Sequence, residues 1–427
     1  MTTRPRDEPA PAAGDLPVGT GDRVRLILVL AGLSAAGPLA TDMYVPGLPQ
    51  MARSLHTDTA GAQVSLAGFL IGVIVGQLVW GPLSDAAGRR PVLLAGTSSF
   101  AVFSLVCALA PTAEVLDAAR VGQGFTGAAG IVVARAVVSD LFDDSQLARV
   151  FSALGAITAL GPVIAPLLGG ALLAVASWRS VFVVLAVTGL LLTAGVLREL
   201  PETHHREART KGGVAGSLRS VAGVARRPAV LAPVLAVGFG SAAVFAYIAG
   251  TSFVFQDVYH LTSASAGVVY GVNAVGNVAG SLAYGRLVRR WRAGALLTAS
   301  GAAGLAASAA LLAVQALAGG GVIVTWTCLF AAVTAFGVFF PAVTTVAQSR
   351  GRDAPGATSA LMGSGQFAFG AAAAPTVGLF GTHSPLPMAA VMTACLSAAL
   401  LAALLAAKPE RHPAAGPRGA SAPGAGR

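Results

Sequence analysis

The chain has 427 residues, of which 55% are hydrophobic and only 11% charged, against about 25% charged in soluble domains. That composition excludes an ordinary soluble enzyme. A net charge of +10 raises the question of nucleic acid, and the placement of the basic residues answers it below.

Residues 1–25 are polar and Pro-rich, with no apolar core of the kind a cleaved secretory signal needs, and read as a cytoplasmic tail. After them, apolar runs long enough to cross a hydrocarbon core, about 20 helical residues, recur twelve times. In the first half they cover 26–48, 62–83, 91–110, 114–140, 149–175 and 179–199; in the second, 229–255, 265–287, 294–316, 321–347, 357–380 and 386–407. This predicts an all-α integral membrane protein: an N-terminal bundle at 26–199, a cytoplasmic linker at 200–228, a C-terminal bundle at 229–407 and a disordered cytoplasmic tail at 408–427. The basic residues follow the topology. Only Arg53 and Arg179 fall outside and Arg120 and Arg135 within a span, while the other Lys and Arg sit in the tails and inner loops. By the positive-inside rule both termini are cytoplasmic, so the charge orients the chain and no nucleic-acid partner is expected.

The first span carries "GPLATDMYVPGLP", with Asp42 between the helix-disturbing Pro38 and Pro46 and followed by Tyr44. The loop after the second span, "GPLSDAAGRRP", holds Gly81, Asp85, Gly88, Arg89 and Arg90: glycines for a tight turn and charges able to clasp helix ends, which Arg135 and Asp140 near the inner end of the fourth span can join. The fourth span opens with "ARVGQGFTGAAG", a G-x-G-x-x-G that advertises a dinucleotide site in soluble enzymes. Such a site needs a preceding strand, whereas "PVLLAGTSSFAVFSLVCALA" is a full membrane span. The glycines are read instead as a smooth packing surface, and Arg120 ahead of them as the residue of interest. Ionisable groups within spans are functional candidates by default. Asp42 moving towards or away from Arg120 would load or release a proton, so the two form the expected proton-coupling pair.

The fifth span, "LGAITALGPVIAPLLGG", has Gly161, Pro162, Pro166, Gly169 and Gly170: small residues for close helix approach and prolines that bend it. The linker from Arg198 to Pro228 is the longest interior polar stretch. Beyond it, "VGNVAGSLAYGRL" (275–287) repeats the pattern of "IGVIVGQLVWGPL" (71–83) at an offset of 204: Gly72, Gly76 and Gly81 pair with Gly276, Gly280 and Gly285. A parallel repeat of two six-helix bundles forms its substrate site between the halves and alternates access by rocking. The second half supplies aromatic and amide groups for such a site: Phe239, Phe245, Tyr247 and Phe253 on the seventh span, Tyr270, Asn273 and Asn277 along one face of the eighth, and Gln366 on the eleventh. Apolar walls with few polar anchors suit a weakly charged or neutral ligand.

No P-loop is present, so transport would draw on a gradient. Cys107, Cys328 and Cys395 lie singly within apolar spans, and His56, His204, His205, His260, His383 and His412 lie in loops or tails. Neither a metal, a cofactor nor a catalytic constellation is expected, which argues against a membrane enzyme; a non-transporting receptor is the remaining alternative class.

These residues resemble the major facilitator superfamily, and within it the Bcr/CflA-type drug:proton antiporters, over essentially all twelve helices. "GPLATDMYVPGLPQMA" is similar to that group's first-helix signature, with Val45 where Leu is usual. Asp85, Gly88 and Arg89 match the cytoplasmic motif between helices 2 and 3, Arg120 the buried arginine of helix 4, and "APLLGG" with Gly161 and Pro162 the antiporter motif of helix 5. "SWRSVF" and "LPET", on either side of helix 6, resemble further landmarks, and Asn273 and Phe253 fall where similar proteins carry Asn and Phe. Where some relatives carry a second acid on helix 1, about two turns before the aspartate, this chain has Ser34, which points away from two-acid coupling and from cationic drugs. The resemblance implies a monomeric exporter of chloramphenicol- or bicyclomycin-like antibiotics in exchange for protons, in a bacterial cytoplasmic membrane. An exporter dedicated to one endogenous metabolite is the alternative on the same fold.

Overall fold

A computed structural model describes residues 20–142, 144–203, 213–381 and 384–407. Both expected tails, apart from the first residues of the opening helix, and His204, His205 and His383 lie outside the described residues.

The helices are α1 (Thr20–Asp42), the short α2 (Leu48–Ser54), α3 (Thr59–Ala87), α4 (Arg89–Leu109), α5 (Ala113–Leu141), α6 (Asp144–Leu173), α7 (Arg179–Glu199), α8 (Gly213–Ala225), α9 (Pro228–Phe253), α10 (Ser263–Leu287), α11 (Ala293–Ala318), α12 (Val322–Arg350), α13 (Pro355–Leu379) and α14 (Leu386–Ala407). Apart from α2 and α8, each coincides with one of the twelve apolar spans. Among the described residues, nine helices are apolar enough over their length to cross a membrane, and the stretch Leu160–Leu173 of α6 is a shorter apolar helix. The helices α10 and α13 fall short because of residues such as Asn273, Asn277 and Gln366, on two helices that face the other bundle.

Local chemistry sets the boundaries. The first span ends at Asp42 rather than at residue 48, because Pro46 has no N–H for the Asp42 carbonyl and its ring crowds that position. A 3₁₀ turn at Val45–Gly47 and α2 follow. Asp58, Thr112 and Thr262 cap α3, α5 and α10 by accepting the backbone N–H three residues on. Gly88, at φ 105°, makes the turn between α3 and α4 that a side chain would strain. The linker contains α8, which its polar composition concealed: Val214, Leu218 and Val221 recur at helical spacing, and the helix lies against α3, α9 and α13.

Helices α1 and α3–α7 pack as one bundle and α9–α14 as another, joined where α3 meets α13 and α6 meets α10. The two bundles use their repeated glycines alike. A Cβ at Gly72 or Gly76 would overlap the α5 backbone near Phe125, and one at Gly280 the α12 backbone at Thr334. The G-x-G-x-x-G helix is smooth on several sides: Gly122 and Gly127 receive Phe103 and Phe100 of α4, Gly124 the Phe69 backbone of α3, and Gly130 the Leu33 backbone of α1.

The end at which α7 stops and α9 starts is termed the linker end; the opposite one is the far end. At the far end the bundles are joined by Gln63 Nε2 donating to Ala249 O (3.1 Å), Gly378 N donating to Gln63 Oε1 (2.9 Å), Ser252 Oγ donating to Val45 O (2.7 Å) and Gln256 Nε2 donating to Pro46 O (2.9 Å). Backbones of α6 and α10 touch there: a Cβ on Gly267 would lie 2.6 Å from Pro166 O. Towards the linker end of the same two helices, Cβ atoms on Gly155 and Gly285 would meet nothing within 4 Å. The α6–α10 seam is therefore tight at the far end, and these two glycines are not packed against a neighbour at the linker end.

Candidate functional site

Arg120 is fully buried in the N-terminal bundle. Its Nη1 donates to Ala40 O (3.1 Å) and Gln123 Oε1 (2.7 Å), and its Nε to Ser65 O (3.3 Å). The guanidinium lies over Phe69 (4.4 Å), Tyr44 (4.9 Å) and Phe182 (5.7 Å), contacts that favour a desolvated cation. Gln123 Nε2 passes the network to Ser104 Oγ (2.7 Å), and Tyr44 Oη shares a 2.7 Å hydrogen bond with Ser65 Oγ. Ala40 supplies one of the last carbonyls of α1, which a helix leaves unsatisfied. Arg120 thus caps the helix end that Pro46 breaks, where a positive charge also suits the helix dipole.

Asp42 is not paired with Arg120. Ala40 and Tyr44 point to the arginine, and Asp42, two residues from Ala40, is turned about 200° around the helix. The half-buried Asp42 carboxyl is instead within electrostatic range of the Tyr247 hydroxyl, on α9 of the other bundle. Tyr44, expected in the substrate cavity, belongs to the Arg120 cluster and is 0% exposed.

The remaining expected cavity residues divide by contact. Asn273 Nδ2 donates to Tyr247 Oη (2.9 Å), and Trp326 Nε1 to Asn273 Oδ1 (3.0 Å), so an ordered donor chain runs from α12 through α10 to α9. Tyr270 stacks at a tilt on Tyr247, 5.6 Å between centroids, and donates to Ile248 O (2.6 Å). Asn277 donates to Val333 O (3.2 Å), and Gln366 on α13 is half-buried. Phe239 meets Phe369 edge-on at 4.8 Å, Phe245 sits against Gly370, and Phe253 is buried in helix packing.

At the linker end Arg89 is the hub. Its Nη1 donates to Asp85 Oδ1 (2.5 Å) and Ser84 Oγ (2.6 Å), its Nε to Asp140 Oδ2 (3.0 Å), and its backbone N to Glu202 Oε1 (2.9 Å). Thr203 Oγ1 adds a bond to Asp140 Oδ2 (3.0 Å), and Arg90 Nη2 holds Leu197 O (2.7 Å). The network bolts α3, α4, α5 and the residues after α7 together, with Gly81 half-buried beside Val132. Arg135 is exposed and stands outside it.

The prolines and glycines of α6 form a wedge. Gly161 faces Pro38 of α1 and Gly169 the Met43 backbone just past the end of α1, while Gly170 and the Pro166 carbonyl face α10. Pro162 points outward and is exposed.

Sequence reasoning missed several of these groups. Trp326 and Gln63 looked like ordinary span residues, and only their partners on other helices give them a role. Glu202 lies in the "LPET" landmark, to which the sequence assigned no chemistry. Asp117 was legible: an acid one turn before Arg120, inside the same span.

Comparison with known proteins agrees with the architecture. The sequence model of the Major Facilitator Superfamily matches residues 30–375. An uncharacterized MFS-type transporter of Bacillus subtilis, YdgK, is 35% identical over 373 residues, 87% of this chain and 92% of that protein. A bicyclomycin resistance protein homolog of Haemophilus influenzae is 32% identical over 264 residues, 62% of this chain and 66% of its own. Among solved structures, a bacterial homolog of the human lysosomal transporter Spinster, inward-facing and unoccupied, superposes with a TM-score of 0.66 at 16% identity, over 92% of this chain and 97% of its own. The chain belongs to the major facilitator superfamily, and is a multi-pass membrane transporter rather than an enzyme.

Proposed function

We propose that this major facilitator superfamily member exports small amphipathic antibiotics, of the chloramphenicol or bicyclomycin kind, by alternating access and in exchange for protons bound at Asp42. The observation that carries this reading is the place of Asp42, at the broken end of α1, outside the hydrogen bonds of Arg120 and within electrostatic range of Tyr247 on the other bundle. The Haemophilus relative, named for bicyclomycin resistance, supports the substrate class, and the Bacillus relative, an uncharacterized MFS-type transporter, supports transport alone.

The chemistry follows from the donors present. Tyr247 Oη already accepts from Asn273, which leaves its own proton to be donated across the seam. An ionised Asp42 is steadied by that donor, and by a hydroxyl or amide N–H of a bound drug. Drug binding therefore favours the ionised carboxylate, and proton binding removes the acceptor that the drug uses. The two compete for one place, as antiport requires. Arg120 holds the end of α1 so that Asp42 stays turned to the seam, while the α6 wedge and the Arg89 clasp serve as gates at the two ends.

The linker end is cytoplasmic on this reading, because Arg89, Arg90, Arg198, Arg226, Arg227, Arg286, Arg289, Arg290, Arg292, Arg350 and Arg352 cluster there, whereas among the described residues outside the spans only Arg53 and Arg179 lie at the far end. The tight far-end seam then closes the outer side, in a bacterial cytoplasmic membrane, and one chain suffices as the transport unit. Cells producing the protein should retain less chloramphenicol, and an uncoupler should abolish the difference. Unchanged accumulation would end the proposal for that drug.

A further inference from the structure

Two buried polar atoms in the Arg120 cluster have no hydrogen-bond partner, and their residues are one helical turn apart. Arg120 Nη2 lacks an acceptor although its side chain is fully buried. Asp117 Oδ1, three residues earlier on α5, is shut off from solvent and lacks a donor. An unmet buried group carries a desolvation cost, larger when it is charged. Residues at i and i+3 share a helix face, so a rotation of the guanidinium brings these two atoms together, at the expense of the Ala40 carbonyl that Arg120 now holds.

We propose that Asp117 is a second proton-binding site of the transport cycle, loaded while Arg120 caps α1 and unloaded when the guanidinium swings onto the Asp117 carboxylate. The idea rests on the proton-coupled reading of the transporter. On unloading, the carboxyl O–H gives its proton to water at the far end, about 6 Å away along α5 at 1.5 Å per residue. The carboxylate that remains accepts the Nη2–H of Arg120, which keeps all its protons. Release of Ala40 O frees the end of α1 and with it Asp42, so the two acids are linked through one arginine.

Few other charges face the site. Glu114 and Arg120 lie on its own helix, and Tyr44 reaches it from the segment after α1. Helix α3 presents the glycine backbone at Gly68, Cys107 of α4 faces Arg120, and Arg179 of α7 is engaged with Ala110 O.

The test is an acid–base titration of the purified full-length protein, without drug, followed by infrared difference spectroscopy of buried carboxyl groups. The parent protein should show two titrating carboxyls, and Asp42→Asn and Asp117→Asn should each remove about half of the signal. An unchanged spectrum in Asp117→Asn overturns the proposal, as does loss of the whole signal in Asp42→Asn. A signal that Asp117→Asn lowers and Asp42→Asn leaves intact upholds Asp117 and contradicts the role given to Asp42. If Asp117→Asn does not fold, Asp117→Glu should shift the band, and an unshifted band overturns the proposal.

Discussion

Gly267→Ala should unsettle the far-end seal and leave the rest of the protein in place. The added Cβ would sit 2.6 Å from Pro166 O and 3.2 Å from Gly170 Cα, both backbone atoms that cannot rotate away. Ordinary contact needs about 3.4 Å or more, so α6 and α10 must part by about 0.8 Å; overpacking of this kind costs about 1–3 kcal/mol. Ala in a helix returns about 1 kcal/mol relative to Gly in both facing states, so that gain does not alter their balance. The penalty falls on the far-end-closed state alone, and 1.4 kcal/mol is a tenfold change in its population. Gly285→Ala, whose Cβ meets nothing within 4 Å, is the matched control in the present state. Spin-label distances between α6 and α10 at the far end should lengthen in Gly267→Ala and stay at the parent value in Gly285→Ala. Equal distributions in the two variants would refute the reading of this seam as the gate.

Three further outcomes follow from other parts of the molecule. Gly124→Ala places a Cβ on the Phe69 carbonyl and should cost about 1–3 kcal/mol or more, seen as a lower thermal transition and lower yield, with no change in the cavity side chains. Arg89→Ala removes a guanidinium that is 8% exposed and bonded to Asp85 and Asp140. Because Asp85 is itself 43% exposed, the loss should be about 1–3 kcal/mol, measured by thermal unfolding, with drug binding retained and export slowed. Arg227 of the linker pairs with Asp353 and holds that carboxyl below its ordinary value of 3.8. The contact therefore stabilises above the ordinary value and is lost as pH falls through the depressed one; protease cleavage at Arg226 and Arg227 should rise on acidification and in high salt, and Asp353→Asn should raise it at neutral pH.

Much of the fold was legible because the bilayer demands it: long apolar helices, basic inner loops and repeated glycines are strong signals. The end of α1 was misplaced because composition continues past Asp42, whereas the missing N–H of Pro46 does not. Helix α8 was hidden because its apolar stripe is short and lies among arginines. In the site, residue types were readable but their facing was not. Asp42 and Arg120 are both charged and both near the far end, which suggested a pair, yet Arg120 donates instead to the Ala40 and Ser65 carbonyls and to Gln123. Tyr44 looked like a cavity aromatic and is a cushion for the guanidinium. The chain Trp326–Asn273–Tyr247 joins three helices that are distant in sequence, and no spacing announces it.

The most direct test is gradient-driven chloramphenicol transport by purified protein in liposomes, comparing the parent with Asp42→Asn. The variant should bind chloramphenicol with an unchanged Kd while its transport no longer responds to an imposed pH gradient. Transport by Asp42→Asn at the parent rate, with the same dependence on the gradient, would contradict proton exchange at Asp42.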